Sequence, residues 1–306
     1  MRLPLKTLDG ILPKAMVDVY SCLLTEVIKG ASMTSPRATV IQMTSSQRVE
    51  KNLQDAAYFL KEAAREGSRL VVLPEMWATL FPAGAQKRAV AETFGEGPIQ
   101  EFLQQQAKQL GVWIVGGTIP LKTSHSARIR AACLVWNEEG TVVARYDKIH
   151  LFDATITPGV ESYEESSTTE PGDTCVTVET PLGKLGLAVC YDIRFPELFR
   201  SLFREKIDCI AIPAAFTPTT GKAHWNLLAR ARAVENSCYV LGACEWGTHD
   251  TGRKTFGGSC IINPWGDVLC ERSEGTGLLT ASIDLSYLKE LRSRMPLHEH
   301  ARWLKK

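Results

Sequence analysis

Gly186-Leu187-Ala188-Val189-Cys190-Tyr191-Asp192-Ile193-Arg194-Phe195-Pro196-Glu197 is the stretch that decides how this chain reads. Its first half is apolar and predicts a buried strand over Leu185–Val189. Pro196-Glu197 then opens a helix expected to run over Pro196–Lys206. Between the two the chain turns sharply and lifts one cysteine out of the core toward a cavity. A nucleophilic thiol needs that placement, because its reactivity depends on access and thiolate character. A cysteine behind a strand is by default a small buried hydrophobe, so the assignment needs partners elsewhere.

Two further strand exits offer them. Arg69-Leu70-Val71-Val72-Leu73-Pro74-Glu75-Met76-Trp77 is an apolar strand ending in a carboxylate. Val142-Val143-Ala144-Arg145-Tyr146-Asp147-Lys148-Ile149-His150-Leu151-Phe152-Asp153 is a strand followed by a lysine. Such strands lying side by side would gather Glu75, Lys148 and Cys190 at one edge of a sheet, where α/β proteins build their sites. Glu75 follows a strand, which favours a base over a helix N-terminal charge after Pro74. Ile149, Leu151 and Phe152 imply that Lys148 is partly buried and needs charged partners.

Composition sets the frame. With 306 residues, 44% hydrophobic, the chain suits one globular domain with a large core. A net charge of +1 gives no electrostatic case for nucleic acid. The nine cysteines form no CxxC pair, which argues against structural zinc or a disulfide framework. They fit packing roles in a reducing, cytoplasmic setting. No apolar run is long enough for a membrane span. Ile11 to Ile28 reads as an amphipathic helix, and residues 1–36 as an N-terminal extension ahead of a single domain over 37–306. Asp9, Asp18 and Glu26 argue against a signal peptide there.

From Thr39-Val40-Ile41-Gln42-Met43 onward, strand and helix signals alternate. Val49 to Glu66 has helical periodicity with Leu53, Ala57, Leu60 and Ala64 on one face; Pro98–Leu110 and Trp225–Asn236 are further helices. Strands are expected at Val112–Gly116, Ile210–Pro213 and Tyr239–Ala243. Asn137-Glu138-Glu139-Gly140 and Asn263-Pro264-Trp265-Gly266-Asp267 mark two hairpins. The pattern implies mixed sheets covered by helices.

Taken together, the three exits, in this order and with these flanks, resemble the nitrilase superfamily of carbon-nitrogen hydrolases over about residues 37–303. The resemblance implies a four-layer α-β-β-α sandwich and subunits that pair through outer helices into a homodimer or higher homo-oligomer. It implies a Glu75–Lys148–Cys190 triad working without metal or cofactor. Cys190 would form a thioester. Glu75 would be its base, and Lys148 with the Tyr191 backbone N–H would stabilise the oxyanion, at about 3 kcal/mol per donor. A second glutamate is implied before the cysteine; Glu165 matches best by context and Glu164 stays open. Arg194 would grip a substrate carboxylate or, equally, form an internal salt bridge to Glu197 or Asp192. Phe216 and Thr220 lie in the segment resembling the substrate loop, Phe216 to pack on the substrate and Thr220 to donate to its carboxylate. His224 reads as structural.

Within the superfamily, Gly221-Lys222-Ala223-His224-Trp225 and Ala243-Cys244-Glu245-Trp246-Gly247-Thr248-His249 resemble the branch holding deaminated glutathione amidase and omega-amidase, the second stretch favouring the former. The implied substrate is a small carboxylate-bearing amide, deaminated glutathione giving 2-oxoglutarate and cysteinylglycine as metabolite repair. Omega-amidase action on 2-oxoglutaramate or 2-oxosuccinamate, nitrile or ureido hydrolysis, and a non-enzymatic scaffold are the alternatives. Three positions depart from the branch: Asn226, Glu245 and Gly258. An acid lost at 226 and gained at 245 reads either as a local charge exchange or as a changed substrate.

Overall fold

The computed structural model describes residues 35–302 apart from 81–83, 125–126 and 158–160. The helix expected over Ile11–Ile28 lies outside the described residues. One sheet has seven strands: β1 (Arg37–Gln42), β2 (Ser68–Val72), β3 (Trp113–Val115), β4 (Ile119–Lys122), β5 (Ile129–Trp136), β6 (Val142–Asp147) and β17 (Gly277–Ser282). β1, β2 and β3 pair in parallel, and β17 closes one edge antiparallel to β1. β3 and β4 pair with successive parts of β5, whose other edge takes β6.

A second sheet of six strands runs β16 (Val268–Arg272), β15 (Ser259–Ile262), β12 (Tyr239–Cys244), β11 (Cys209–Ala214), β10 (Gly183–Leu187), β9 (Thr177–Thr180). Two small ribbons complete the strands, β7 (Asp153–Thr157) with β8 (Glu161–Glu164) and β13 (Trp246–Thr248) with β14 (Lys254–Phe256). The helices used below are α1 (Val49–Arg65), α2 (Gly84–Ala89), α3 (Pro98–Leu110), α4 (Pro196–Arg204) and α5 (Asn226–Asn236).

The layers follow from strands that are apolar on both faces, as buried parallel strands must be. In β2, Leu70 and Val72 face the core shared with Leu187 and Ile212 of the second sheet. Val71 and the following Leu73 face Leu60 and Ala63 of α1 and Leu103 and Ala107 of α3. Phe199 and Leu202 of α4 and Ala229 and Ala233 of α5 join the second sheet. The result is an α-β-β-α sandwich. α3 has the boundaries its sequence predicts, with Pro98 in its first turn and Gly111 ending it at φ +63°.

Two expectations are corrected. The buried residues of α1 are Asn52, Ala56, Leu60 and Ala63, so the inward face is turned slightly from the predicted set, of which Leu60 is fully buried and Leu53 and Ala64 pack partly buried against the same core. Asn52 turns it: its amide accepts from Ser46 N at 2.8 Å and donates to the Ser46 and Ala78 carbonyls at 2.8 and 2.9 Å. Second, the three strand ends do not share one sheet edge. β2 and β6 belong to the first sheet and are not neighbours, whereas β10 belongs to the second. The cause is the crossover. A parallel partner for β10 requires a covering connection, and α4 supplies it by carrying the chain from β10 to β11. β10 therefore builds its own sheet, and the site forms where the ends of two stacked sheets meet. Among the described residues no helix is long and apolar enough to cross a membrane.

Candidate active site

Glu75 is placed by the way β2 leaves its sheet. Leu73 N still donates to the Val115 carbonyl at 3.0 Å. Past Pro74, Met76 takes a left-handed φ of +62°, and its N–H is held by Thr118 Oγ1 at 2.9 Å. Gly117 buttresses this turn: a Cβ there would stand 1.9 Å from the Pro74 carbonyl oxygen, so only glycine fits.

Lys148 sits one residue beyond β6, its N–H bonded to the Ala131 carbonyl at 3.0 Å. Its ammonium is 1% exposed and donates to Glu75 Oε1 and Glu165 Oε2, each at 2.8 Å. The same Glu165 oxygen accepts from Phe152 N at 2.7 Å. The second glutamate is thus Glu165; Glu164 is exposed in β8.

Cys190 follows β10 at φ +49° and is 8% exposed. A left-handed non-glycine costs about 1–3 kcal/mol and persists only where its surroundings impose it. Asp192 imposes it. One carboxylate oxygen accepts from Val189 N at 2.8 Å and Tyr146 OH at 2.7 Å. The other accepts from His150 N at 2.9 Å and lies 2.7 Å from His150 Nδ1. Sequence reasoning offered Asp192 as an ion-pair partner for Arg194; it is instead the clamp of the nucleophile turn.

The charges settle who holds protons. Burial pushes the Cys190 thiol well above its ordinary pKa, Glu75 adds to the push, and Lys148 opposes it. Burial and the nearby Glu75 carboxylate thus favour the thiol form of Cys190. Burial also disfavours the Lys148 ammonium, but Glu165 and Glu75 outweigh it and hold the lysine well above its ordinary value. Burial works against ionised Glu165 too; Lys148 and the Phe152 N–H win, and its pKa falls below the usual range. The cluster can therefore take a proton from sulfur at a carboxylate while keeping a fixed cation beside the reacting carbon.

These groups open into a cavity of about 480 Å³ that is also lined by Tyr191, Arg194, Phe216 and Thr220. All eight side chains singled out from the sequence line it. The Arg194 guanidinium carbon lies 5.6 and 5.3 Å from the Tyr191 and Phe216 ring centroids. Its Nη1 is 3.2 Å from His224 Nδ1. Neither Glu197 nor Asp192 pairs with it, and among the described residues no carboxylate is within ion-pair distance. His224, expected as structural, is exposed and props Arg194. Asn226, Glu245 and Gly258 do not line the cavity. Asn226 bonds Glu271 at 3.3 Å, while Glu245 accepts from Ser45 N and Oγ at 2.9 and 2.6 Å. They share no partner, so no charge exchange links them.

Sequence reasoning missed Lys87 of α2 and Arg253, which also line the cavity. Each is one charged residue in a segment with no local pattern to mark it. Arg253 lies between β13 and β14.

A buried cysteine on a strained strand exit and a lysine bonded at 2.8 Å to two glutamates thus line one cavity. The carbon-nitrogen hydrolase family pattern matches residues 37–293. The chain is 39% identical over 279 residues to deaminated glutathione amidase of Homo sapiens, spanning 90% of this chain and 85% of that one. It is 36% identical over 275 residues to omega-amidase NIT2 of Xenopus tropicalis, spanning 88% and 96%. Nit3 of Saccharomyces cerevisiae, a member of branch 10 of the nitrilase superfamily, has the same fold at a TM-score of 0.77. That match has 31% identity and covers 88% of this chain and 98% of that one. The protein belongs to the carbon-nitrogen hydrolase family and is an amidase.

Proposed function

We propose that Cys190, Glu75 and Lys148 hydrolyse the amide of deaminated glutathione, giving 2-oxoglutarate and cysteinylglycine, a metabolite-repair reaction in the cytoplasm carried out by a homodimer. The observation that carries the chemistry is Lys148 bonded at 2.8 Å to both Glu75 and Glu165, with Cys190 opening into the same cavity. The Cys190 proton passes to Glu75 as sulfur attacks the amide carbon. Lys148 and the Tyr191 N–H receive the charge that develops on oxygen. Collapse breaks the carbon–nitrogen bond, and Glu75 hands its proton to the leaving amine. Water then attacks the thioester, giving a proton to Glu75; expulsion of sulfur returns that proton to Cys190 and releases the acid. Glu165 positions Lys148. Arg194, held on two rings with no carboxylate partner among the described residues, supports an oxo-acid carboxylate as the acyl end, with Thr220 and Phe216 beside it. The names of the human and Yersinia enterocolitica relatives support deaminated glutathione; the Xenopus relative supports an omega-amide as the second reading.

The test is turnover of deaminated glutathione and a panel of omega-amides by wild type and Cys190→Ala, with intact-mass detection of acyl-enzyme. Wild type should be fastest on deaminated glutathione, and Cys190→Ala should fold and be inactive. Near-normal turnover in that variant, or an acyl label on another cysteine, would sink the assignment.

A further inference from the structure

Two cations in the cavity have no part in the chemistry above. The Arg253 guanidinium sits 5.6 Å from the Tyr163 ring centroid. It reaches the Ala215 carbonyl at 3.3 Å and the Met76 sulfur, a weak acceptor, at 3.8 Å. Its Nε is buried and has no hydrogen-bond partner. Lys87 lines the same cavity, and the charges of Glu165, Arg253, Lys148 and Glu75 all reach it. Among the described residues no carboxylate lies within ion-pair distance of either cation. The lining carboxylates outside the catalytic cluster are placed otherwise: Glu161 accepts from Tyr163 OH at 3.0 Å, and Glu164 is exposed. Two cations thus line one cavity without an ion-pair partner of their own; burial lowers the Lys87 pKa against the opposing pull of Glu165 and Glu75, an arrangement that an anion would relieve.

Their position says which half of a substrate they would meet. Through Met76, the residue after Glu75, Arg253 reaches the cavity on the Glu75 side, its other contact being the Ala215 carbonyl. Arg194 stands on the Tyr191 side. Glu75 must deliver a proton to the departing nitrogen, so the amine half of the amide lies on its side. A cavity of about 480 Å³ falls in the range of pockets that enclose drug-sized ligands, about 300–1,000 Å³. An amide that releases only ammonia would leave this wall untouched.

We propose that Lys87 and Arg253 form an anion subsite for the leaving amine, selecting amides whose amine half carries its own carboxylate. The assignment deepens the oxo-acid amidase reading and rests on it for the acyl half. The carboxylate is that of the C-terminal residue of a dipeptide-type amine, gripped by the Arg253 fork and Lys87 while Arg194 holds the oxo-acid end.

The experiment compares kcat/KM for deaminated glutathione with kcat/KM for 2-oxoglutaramate, which lacks an amine-side carboxylate, in wild type, Arg253→Gln and Lys87→Gln. Charge-assisted contacts of this kind are each worth on the order of tenfold or more. In each variant the ratio of the two values should fall by about that factor, carried by KM on deaminated glutathione. Equal losses on both substrates, or an unchanged ratio in both variants, overturn the subsite. A second readout is independent of the acyl half: slowing of Cys190 alkylation by iodoacetamide in the presence of Ala-Gly, followed by intact mass. Ala-Gly should protect wild type. Its C-terminal amide should not, and neither variant should be protected. If wild type hydrolyses neither oxo-acid amide yet Ala-Gly protects it, the acyl reading fails and the subsite stands. Without that protection the subsite falls.

Discussion

Glu165 and Glu245 are carboxylates set among apolar strands, and they behave in opposite ways. Glu165 has a lysine ammonium at 2.8 Å and the Phe152 N–H at 2.7 Å, and it stays ionised below the usual carboxylate range. Among the described residues Glu245 has only the Ser45 amide and hydroxyl as hydrogen-bond donors, and burial pushes its pKa up to about 7. His249 does not supply the missing charge. Its ring spans the Ser45 carbonyl and Thr255 Oγ1 at 2.8 Å each, and burial lowers its pKa. Burial alone therefore does not decide the state of a carboxylate here; a cation within hydrogen-bond reach does.

The largest effect comes from destroying that asymmetry. Lys148→Met leaves Glu75 and Glu165 facing each other without compensation. It should destabilise the fold by about 3–5 kcal/mol and abolish turnover. Chemical denaturation and amide hydrolysis measure both; unchanged stability would mean that the two carboxylates do not depend on the lysine.

Glu245→Gln probes the other half. Its folded pKa of about 7 stands above the ordinary 4.5, so its contribution to stability is complete below about pH 4.5 and is lost as pH rises through 7. Glutamine keeps an acceptor for Ser45 N and offers a donor to Ser45 Oγ without titrating. The stability of the variant relative to wild type should therefore rise between pH 5 and 8 and level off, by up to about 3 kcal/mol. A difference that is flat with pH would show that Glu245 does not titrate in this window.

Arg194→Lys is the mildest change. It keeps a charge and loses the bidentate fork. kcat/KM for an oxo-acid amide should drop by on the order of tenfold, and a neutral short amide should lose much less. Equal losses on both would make Arg194 a prop for the Cys190 turn.

What the sequence carried is clearest at the strand exits. Leu70–Leu73 and Leu185–Val189 are apolar runs, and Val142–Tyr146 a mixed one, that stop near chemistry-bearing residues, and a stop of that kind is a local signal. Which strands become neighbours is not local. It depends on α4 returning the chain to β11, so the gathering of Glu75, Lys148 and Cys190 was legible in the residues themselves, whereas the two stacked sheets were legible only through the family resemblance. The α1 face turned slightly because a side-chain hydrogen bond from Asn52, not periodicity, chose it. β7, β8, β13 and β14 are short and largely polar, with no apolar alternation to announce them. Lys87, Arg253 and the clamp at Asp192 act through partners distant in sequence, which no spacing rule reaches.

The origin of the site in two stacked sheets has a mechanical consequence. Glu75 and Lys148 ride on one plate and Cys190 on the other, and the packing of Leu70, Val72, Leu187 and Ile212 sets the plates' alignment. Proton transfer over hydrogen-bond distances tolerates little sliding between them. Turnover is then a gauge of plate registry, and loosening that seam should silence the enzyme while spectroscopy still records an intact fold.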